Sequence, residues 1–366
     1  QGLLPGIAKH LGDVAIVRSL KSHALVHGLG QTWLQISRNP TGATGSIAPH
    51  MGAIAALELY PQKTASDVLP PFVALNSGTA IVGSGYLPTL YSPFSVQVAT
   101  QAGQGLSSLT HPDGAGAFTR RWSDIQSIDA ALRNDAPLGK ADSDLVDFYS
   151  QAKVLMDAPE VNQLFAYTSS DATRYGATSF GNSLLVAKQL IAGRRGARFI
   201  QVTLNGWDMH NNIYATAGNG IYTLGKTLDT ALSSLIDDLK AAPGSTSGKT
   251  LFDETIIVVA GEFGRTVGSL NGQAGRDHYA VNSALFAGGG VKGGRVIGAT
   301  DATGANVVDA GMPGRTELAV EDLAATVYSA LGIDWTKERT DDPLHRGFEY
   351  IPYAKDGVFG PITALF

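Results

Sequence analysis

Asp208 and His210 stand two apart in GWDMHNN, Glu262 and Arg265 three apart in GEFGRT, and Asp277 adjoins His278 in GRDHY. Carboxylates and imidazoles without cysteine suit a divalent cation at a hydrolytic site, Zn²⁺ first, with Mn²⁺ or Ca²⁺ as harder alternatives. Such an ion lowers the pKa of a bound water or polarises a phosphoryl or sulfuryl oxygen. Asp208, His210, Glu262, Asp277 and His278 are therefore candidate ligands. Arg265 is a candidate catalytic residue, able to clamp an anionic substrate through two parallel hydrogen bonds in a way a lysine is not. Each motif alone also has a structural reading. Asp208 and His210 could close a turn by local hydrogen bonds, Glu262 could simply pair with Arg265, and Asp277-His278 could hold a glycine-bounded loop.

The elements that must position these residues decide between the readings. ARFIQVTL (197–204) reads as a strand, 224–241 as an amphipathic helix, and TIIVVA (255–260) as an apolar run of strand length, expected to be a central parallel strand covered on both faces. Ser283–Ala287 is a further short strand, and 318–331 a helix stopped by Gly332. This alternation predicts an α/β fold with one large, mostly parallel, doubly wound sheet flanked by helices. In such sheets ligands collect beyond the carboxyl ends of the strands. Two of the motifs directly follow expected strands and the third directly precedes one, so their joint placement favours a shared site.

The rest of the chain is less periodic. Residues 1–60 read as helix, short strand (Ala15–Val17) and helix (His27–Ser37). Residues 61–120, rich in Pro, Gly, Ser and Thr, read as an irregular cover or insertion, and 121–195 as helical, all within one domain spanning 1–366. The run GGGVKGG (288–294) lacks the Lys-Ser/Thr ending of a phosphate-cradling loop and reads as a tight turn between strands. His10, His50, His111 and His345 have no partners at ligand spacing and read as structural.

Composition narrows the classes further. The 366 residues are 44% hydrophobic and only 16% charged, against ~25% in an average chain, which excludes disorder. A formal net charge of −5 argues against an electrostatic nucleic-acid binder, and no apolar run reaches the ~18 residues of a membrane span. The absence of cysteine excludes thiol chemistry, iron–sulfur clusters and disulfides. Low charge and abundant Gly, Ser, Thr and Asn lean toward export. The chain begins at Gln1 rather than Met, as a processed or trimmed form would.

GWDMHNN, VVAGEFGRT, GRDHYAVNSALFAGGGVKGGRVIGATD and EDLAATVYSALGI together resemble the bacterial family called domain of unknown function 1501, as do RYGATSFGNSLLVAKQLIAGRRGARFIQV and LPGIAKHLGDVAIVRSL. The resemblance covers most of the chain and is thinnest over 61–150. It implies an alkaline-phosphatase/sulfatase-like fold holding one or two metal ions, in proteins exported to the periplasm or beyond. By the same resemblance Asp208 and His210 are ligands of one metal, and His278 completes that site. Glu262 stands where the superfamily has the Asp of an Asp-His pair, with Phe263 in place of the histidine. Phenylalanine binds no metal, so one ion is expected rather than two. Aligning HGLGQTWLQIS with the helix that carries the sulfatase nucleophile puts His27 at that position, either as a nucleophile at a helix start or as a packing residue. By the resemblance, the family's amino-terminal strand, with its Asp ligand, precedes a segment like GLLPGIAKHL, so either a second chain or fragment completes the sheet or the sequence in hand is partial.

Two functions remain. One is an exported, metal-dependent hydrolase of phosphate or sulfate esters, acting on a small anionic ester or an anionic polymer. The other is an exported, non-catalytic structural or binding protein, for which a homo-oligomer or larger assembly would suit the composition. A phosphosugar mutase ranks below both.

Overall fold

The computed structural model describes residues 2–106, 111–130, 139–216, 218 and 220–366. Gln1, parts of the expected irregular cover (107–110) and of the expected helical segment (131–138) lie outside them. In chain order the principal elements are α1 (Pro5–Lys9), β1 (Val14–Lys21), α2 (His27–Ile36), α3 (Met51–Leu59), β2 (Phe72–Leu75), β3 (Phe94–Val96), α4 (Gly114–Ile128), α5 (Lys140–Met156), α6 (Ser179–Gly193), β4 (Phe199–Val202), α7 (Ile221–Ala241), β5 (Ile256–Val259), β6 (Gly264–Arg265), β7 (His278–Tyr279), β8 (Val281–Gly288), β9 (Arg295–Ile297) and α8 (Val320–Ala330). Local chemistry sets many of the boundaries. Thr178 caps α6 by accepting from Gly181 N. Ser37 ends α2 in the left-handed conformation, φ 55°. Gly332, φ +72°, follows α8 as expected of a C-terminal glycine. Gly288–Gly290 all have positive φ and form the expected turn after β8.

The expected large, doubly wound parallel sheet is not what the chain forms. The strands divide between a three-stranded parallel sheet, β3-β2-β4, and a four-stranded mixed sheet, β5-β8-β1-β9, with further two-stranded pairs elsewhere. In the mixed sheet β8 runs antiparallel to both β1 and β5, while β1 and β9 are parallel. The physical reason lies between β5 and β8. A parallel neighbour needs a crossover, usually helical, but residues 260–280 hold no helix, only the β6–β7 pair that turns the chain back. Hydrophobic runs look alike whichever way a strand points, so the sequence carried no sign of the reversal.

Two further expectations need correction. TIIVVA is not a central parallel strand: β5 is an edge strand, antiparallel to its one partner, and all four of its residues are only partly buried. The 61–120 segment is not wholly irregular either. It contributes β2, buried at every position, and β3. A four-residue strand between Pro71 and Gly78 is too short to show a period.

The two sheets lie between the same apolar layers. On one face Val73 and Leu75 of β2 join Ala287 of β8 under Leu185 and Leu190 of α6 and Leu232 and Ile236 of α7. On the other, Ala15, Val17 and Phe286 meet Ile54 of α3 and Leu323, Val327 and Tyr328 of α8, with Phe199, Ile256 and Val258 packed alongside. Each large apolar side chain buried here stabilises the fold by about 1.5–3 kcal/mol. β4 and β5 are the sheet edges that share these layers, and both are half-buried along their length. No helix among the described residues is long and apolar enough to cross a membrane.

Candidate metal centre

Four chain segments meet beyond the ends of β4, β5 and β1. Asp208 follows β4, Glu262 follows β5, and His27 opens α2 after β1. Arg265 and His278 come from the β6–β7 ladder, where they are direct cross-strand partners. Side chains opposite each other on a ladder share a face, and both of these reach one atom, Asp208 Oδ1: Arg265 Nη2 at 2.7 Å and His278 Nε2 at 3.3 Å. His210 Nε2 lies 3.0 Å from the same oxygen and His27 Nε2 3.1 Å from it. His27, Asp208 and His278 each offer a ligand atom within 4.8 Å of the others.

What stands behind the imidazoles fixes their tautomers. His27 Nδ1 faces Glu262 Oε1 at 2.6 Å, His210 Nδ1 faces Asp277 Oδ1 at 2.7 Å, and His278 Nδ1 faces the Leu25 carbonyl at 2.7 Å. Ionised carboxylates and a carbonyl accept only, so each Nδ1 carries the proton and each neutral ring leaves a lone pair at Nε2. The three Nε2 atoms all lie within 3.3 Å of Asp208 Oδ1, and those of His210 and His278 are 2.9 Å apart. His27 Nε2 is buried and, among the described residues, has no hydrogen-bond partner despite its closeness to Asp208. Acceptors crowded in this way repel unless a cation or an added proton lies between them. Ligand atoms ~2.0–2.1 Å from a tetrahedral Zn²⁺ are ~3.3 Å apart, and the 2.9–3.3 Å separations here are of that order. The N and O donor set fits zinc.

Charge and packing complete the arrangement. Burial works to raise the Asp208 pKa, but the hydrogen bond from Arg265 and the closeness of His27 and His278 hold its carboxyl far below the usual range. His27 is pulled down by burial and more strongly up by Glu262 and Asp208, leaving it raised. The hydrogen bonds of His210 and Asn271 lower Asp277. Phe263, 7% exposed, lies tilted against both imidazoles, its ring centroid 4.8 Å from that of His27 and 4.3 Å from that of His278. Two glycines permit the close approaches. A Cβ at Gly275 would lie 2.0 Å from the His210 carbonyl carbon, and one at Gly30 would lie 3.2 Å from Glu262 Cβ.

Every expected site residue is thus in one neighbourhood, in differing roles. Asp208, His210 and His278 converge directly. His27, aligned with a nucleophile, converges with them and has the geometry of a ligand. Glu262 and Asp277 turn the oxygens described above toward imidazole Nδ1 and so orient the rings. Arg265 is engaged by Asp208 and by the Arg276 carbonyl, at 2.7 and 3.2 Å. Sequence reasoning missed Leu25, Gln31 and Asn271. Gln31 donates to Glu262 Oε1 at 3.2 Å, and its spacing of four from His27 on a helix could have suggested it. Asn271 ties the His210 carbonyl to Asp277, 3.0 Å from each. A backbone carbonyl such as that of Leu25 leaves no mark in a sequence. The remaining histidines are structural where their surroundings are plain: His50 caps α3 and lies against Phe72, its pKa lowered by burial to about 3.

Residues 2–348 match the family described as protein of unknown function (DUF1501), and the chain belongs to that family. No curated protein and no solved structure matches it.

Proposed function

We propose that this member of the DUF1501 family is an exported, metal-dependent hydrolase of phosphate or sulfate esters, using one divalent ion, Zn²⁺ in the first place. The observation that carries the reading is the convergence of three Nδ1-protonated imidazoles on Asp208 Oδ1. Asp208, His210, His278 and His27 would hold the ion. When bound, it would supply an acidified water and polarise the ester oxygen. Glu262 and Asp277 keep the rings turned and raise their basicity as ligands, and Phe263 shields one side from water. Arg265 brings a positive charge to the site, as an anionic ester requires. A relationship to alkaline-phosphatase/sulfatase-like enzymes is proposed on this donor set alone, since the large parallel sheet is not formed.

A second reading, a binding or structural protein without turnover, is favoured by one observation: Arg265 already neutralises Asp208 at 2.7 Å. An extended segment pairing with the half-buried edges of β4 and β5 is part of either proposal, because unpaired edges with apolar side chains invite a further strand. Metal analysis of the purified protein, joined to a phosphatase and sulfatase screen of wild type and Asp208→Ala, tests the main reading. Bound zinc and ester hydrolysis that vanish together in Asp208→Ala support it. A metal-free protein with equal background activity in both would remove it. Fractionation of cells producing the full-length protein tests export.

A further inference from the structure

The loop Ser22–Val26 joins β1 to α2 and gives the centre two of its parts. Its Leu25 carbonyl accepts from His278 Nδ1 at 2.7 Å, and Val26 is the residue from which α2, and with it His27, begins. The ends of the loop are well held. Ser22 N–H donates to the Ala280 carbonyl at 2.8 Å, its hydroxyl donates to the Glu262 carbonyl, and Gly30 N–H donates to Val26 at 2.8 Å. Between them, His23, Ala24 and Leu25 make no backbone–backbone hydrogen bond among the described residues.

The middle of the loop is held by a side chain. His23 Nε2 lies 3.3 Å from Glu321 Oε2, and its ring stacks on Trp33 with centroids 4.8 Å apart. Trp33, on the same helix as His27, donates its indole N–H to the other oxygen of Glu321 at 2.8 Å. One carboxylate therefore grips both the loop and the helix. Glu321 is only 3% exposed, in the first turn of α8, where the helix dipole favours a negative charge. A buried carboxylate is costly unless paired, and among the described residues its ion-pair partner is His23. The other charged groups facing His23, Lys21 and Glu317, pair with each other at 2.9 Å.

We propose that Glu321, acting through His23 and Trp33, is a positioning residue for the metal centre. It sets the loop so that the Leu25 carbonyl locks the proton of His278 onto Nδ1, and it sets α2 so that His27 faces Asp208. Its functional meaning rests on the metal reading above. With the loop released, His278 Nδ1 loses its acceptor and the proton distributes over both nitrogens, so part of the population no longer offers a lone pair to a cation.

The test uses the whole chain labelled with ¹⁵N-histidine, above neutral pH. Long-range ¹H–¹⁵N spectra report the His278 tautomer, and Zn²⁺ titration is carried out alongside. Wild type is expected to show the Nδ1–H form alone. Glu321→Ala and His23→Ala, with unchanged far-ultraviolet circular dichroism, are expected to show mixed tautomers and about tenfold weaker Zn²⁺ binding. Glu321→Gln, which keeps the Trp33 bond but not the charge pair, is expected to fall between. It also carries the test, with His23→Gln, should the alanine variants fail to fold. An unchanged tautomer in the folded variants overturns the proposal, as does unchanged Zn²⁺ affinity where the wild type binds the ion. A wild type that takes up no Zn²⁺ removes the metal reading alone, because the tautomer comparison needs no ion.

Discussion

Three histidines have their protons placed on the far side of the ring by Glu262, Asp277 and Leu25. Orienting groups of this kind typically change metal affinity by 10–100-fold when removed. Glu262→Gln is therefore expected to weaken Zn²⁺ binding by about that factor while leaving the fold intact, as isothermal titration would show. The amide retains an acceptor for Gln31 but does not hold the His27 proton as a carboxylate does. Affinity is also expected to depend on pH. His27 titrates above its ordinary value under the influence of Glu262 and Asp208, which outweigh its burial, and a protonated ring cannot ligate. Zn²⁺ should bind more tightly at pH 8 than at pH 6, with proton release that falls as pH rises. Binding that strengthens on acidification would contradict the assignment of His27 as a ligand.

At the scale of elements, the short β6–β7 ladder does more for the site than the longer strands, because its register sets Arg265 opposite His278. The longer strands supply the floor. β2 is buried at all four positions, whereas β4 and β5 are half-buried edges. Backbone amides hydrogen-bonded inside a sheet exchange at the rate of global or sub-global opening, while unpaired ones exchange much faster. Hydrogen exchange should accordingly show the β4 and β5 amides that point away from β2 and β8 as fast, and those of β2 as slow. Addition of a strand-forming partner should slow the fast set. Uniform protection along both edges in the isolated chain would show that they are already paired.

For the molecule as a whole, the cluster links stability to pH and, on the proposed reading, to metal. The Asp208 carboxyl is held below its ordinary value against its burial by Arg265, His27 and His278. Its contribution is present above the unfolded pKa of about 3.9 and is lost as pH falls through the folded value. The raised His27 works oppositely: its contribution is complete below the unfolded value of about 6.5 and fades as pH rises through the folded one. Without metal, stability should decline on the acid side through Asp208 and slightly above neutrality through His27. Zn²⁺ at a hundred times its Kd should add about 2.7 kcal/mol near neutral pH, seen as a rise in Tm that Asp208→Ala abolishes. Much of this was legible beforehand. Residue type and spacing marked Asp208, His210, Glu262, Arg265, Asp277 and His278 as one group, and periodicity placed α7, α8 and the apolar runs around β4 and β5, because side-chain chemistry and the helical repeat are local properties. Strand direction, the division into two sheets, the buried β2 and the grip of Glu321 on the Ser22–Val26 loop were decided only in three dimensions. So was the placing of the Glu262 and Asp277 oxygens against the Nδ1 atoms of His27 and His210. Those features depend on which segments pack together and on backbone carbonyls such as that of Leu25, and neither is encoded in the identity of any single residue.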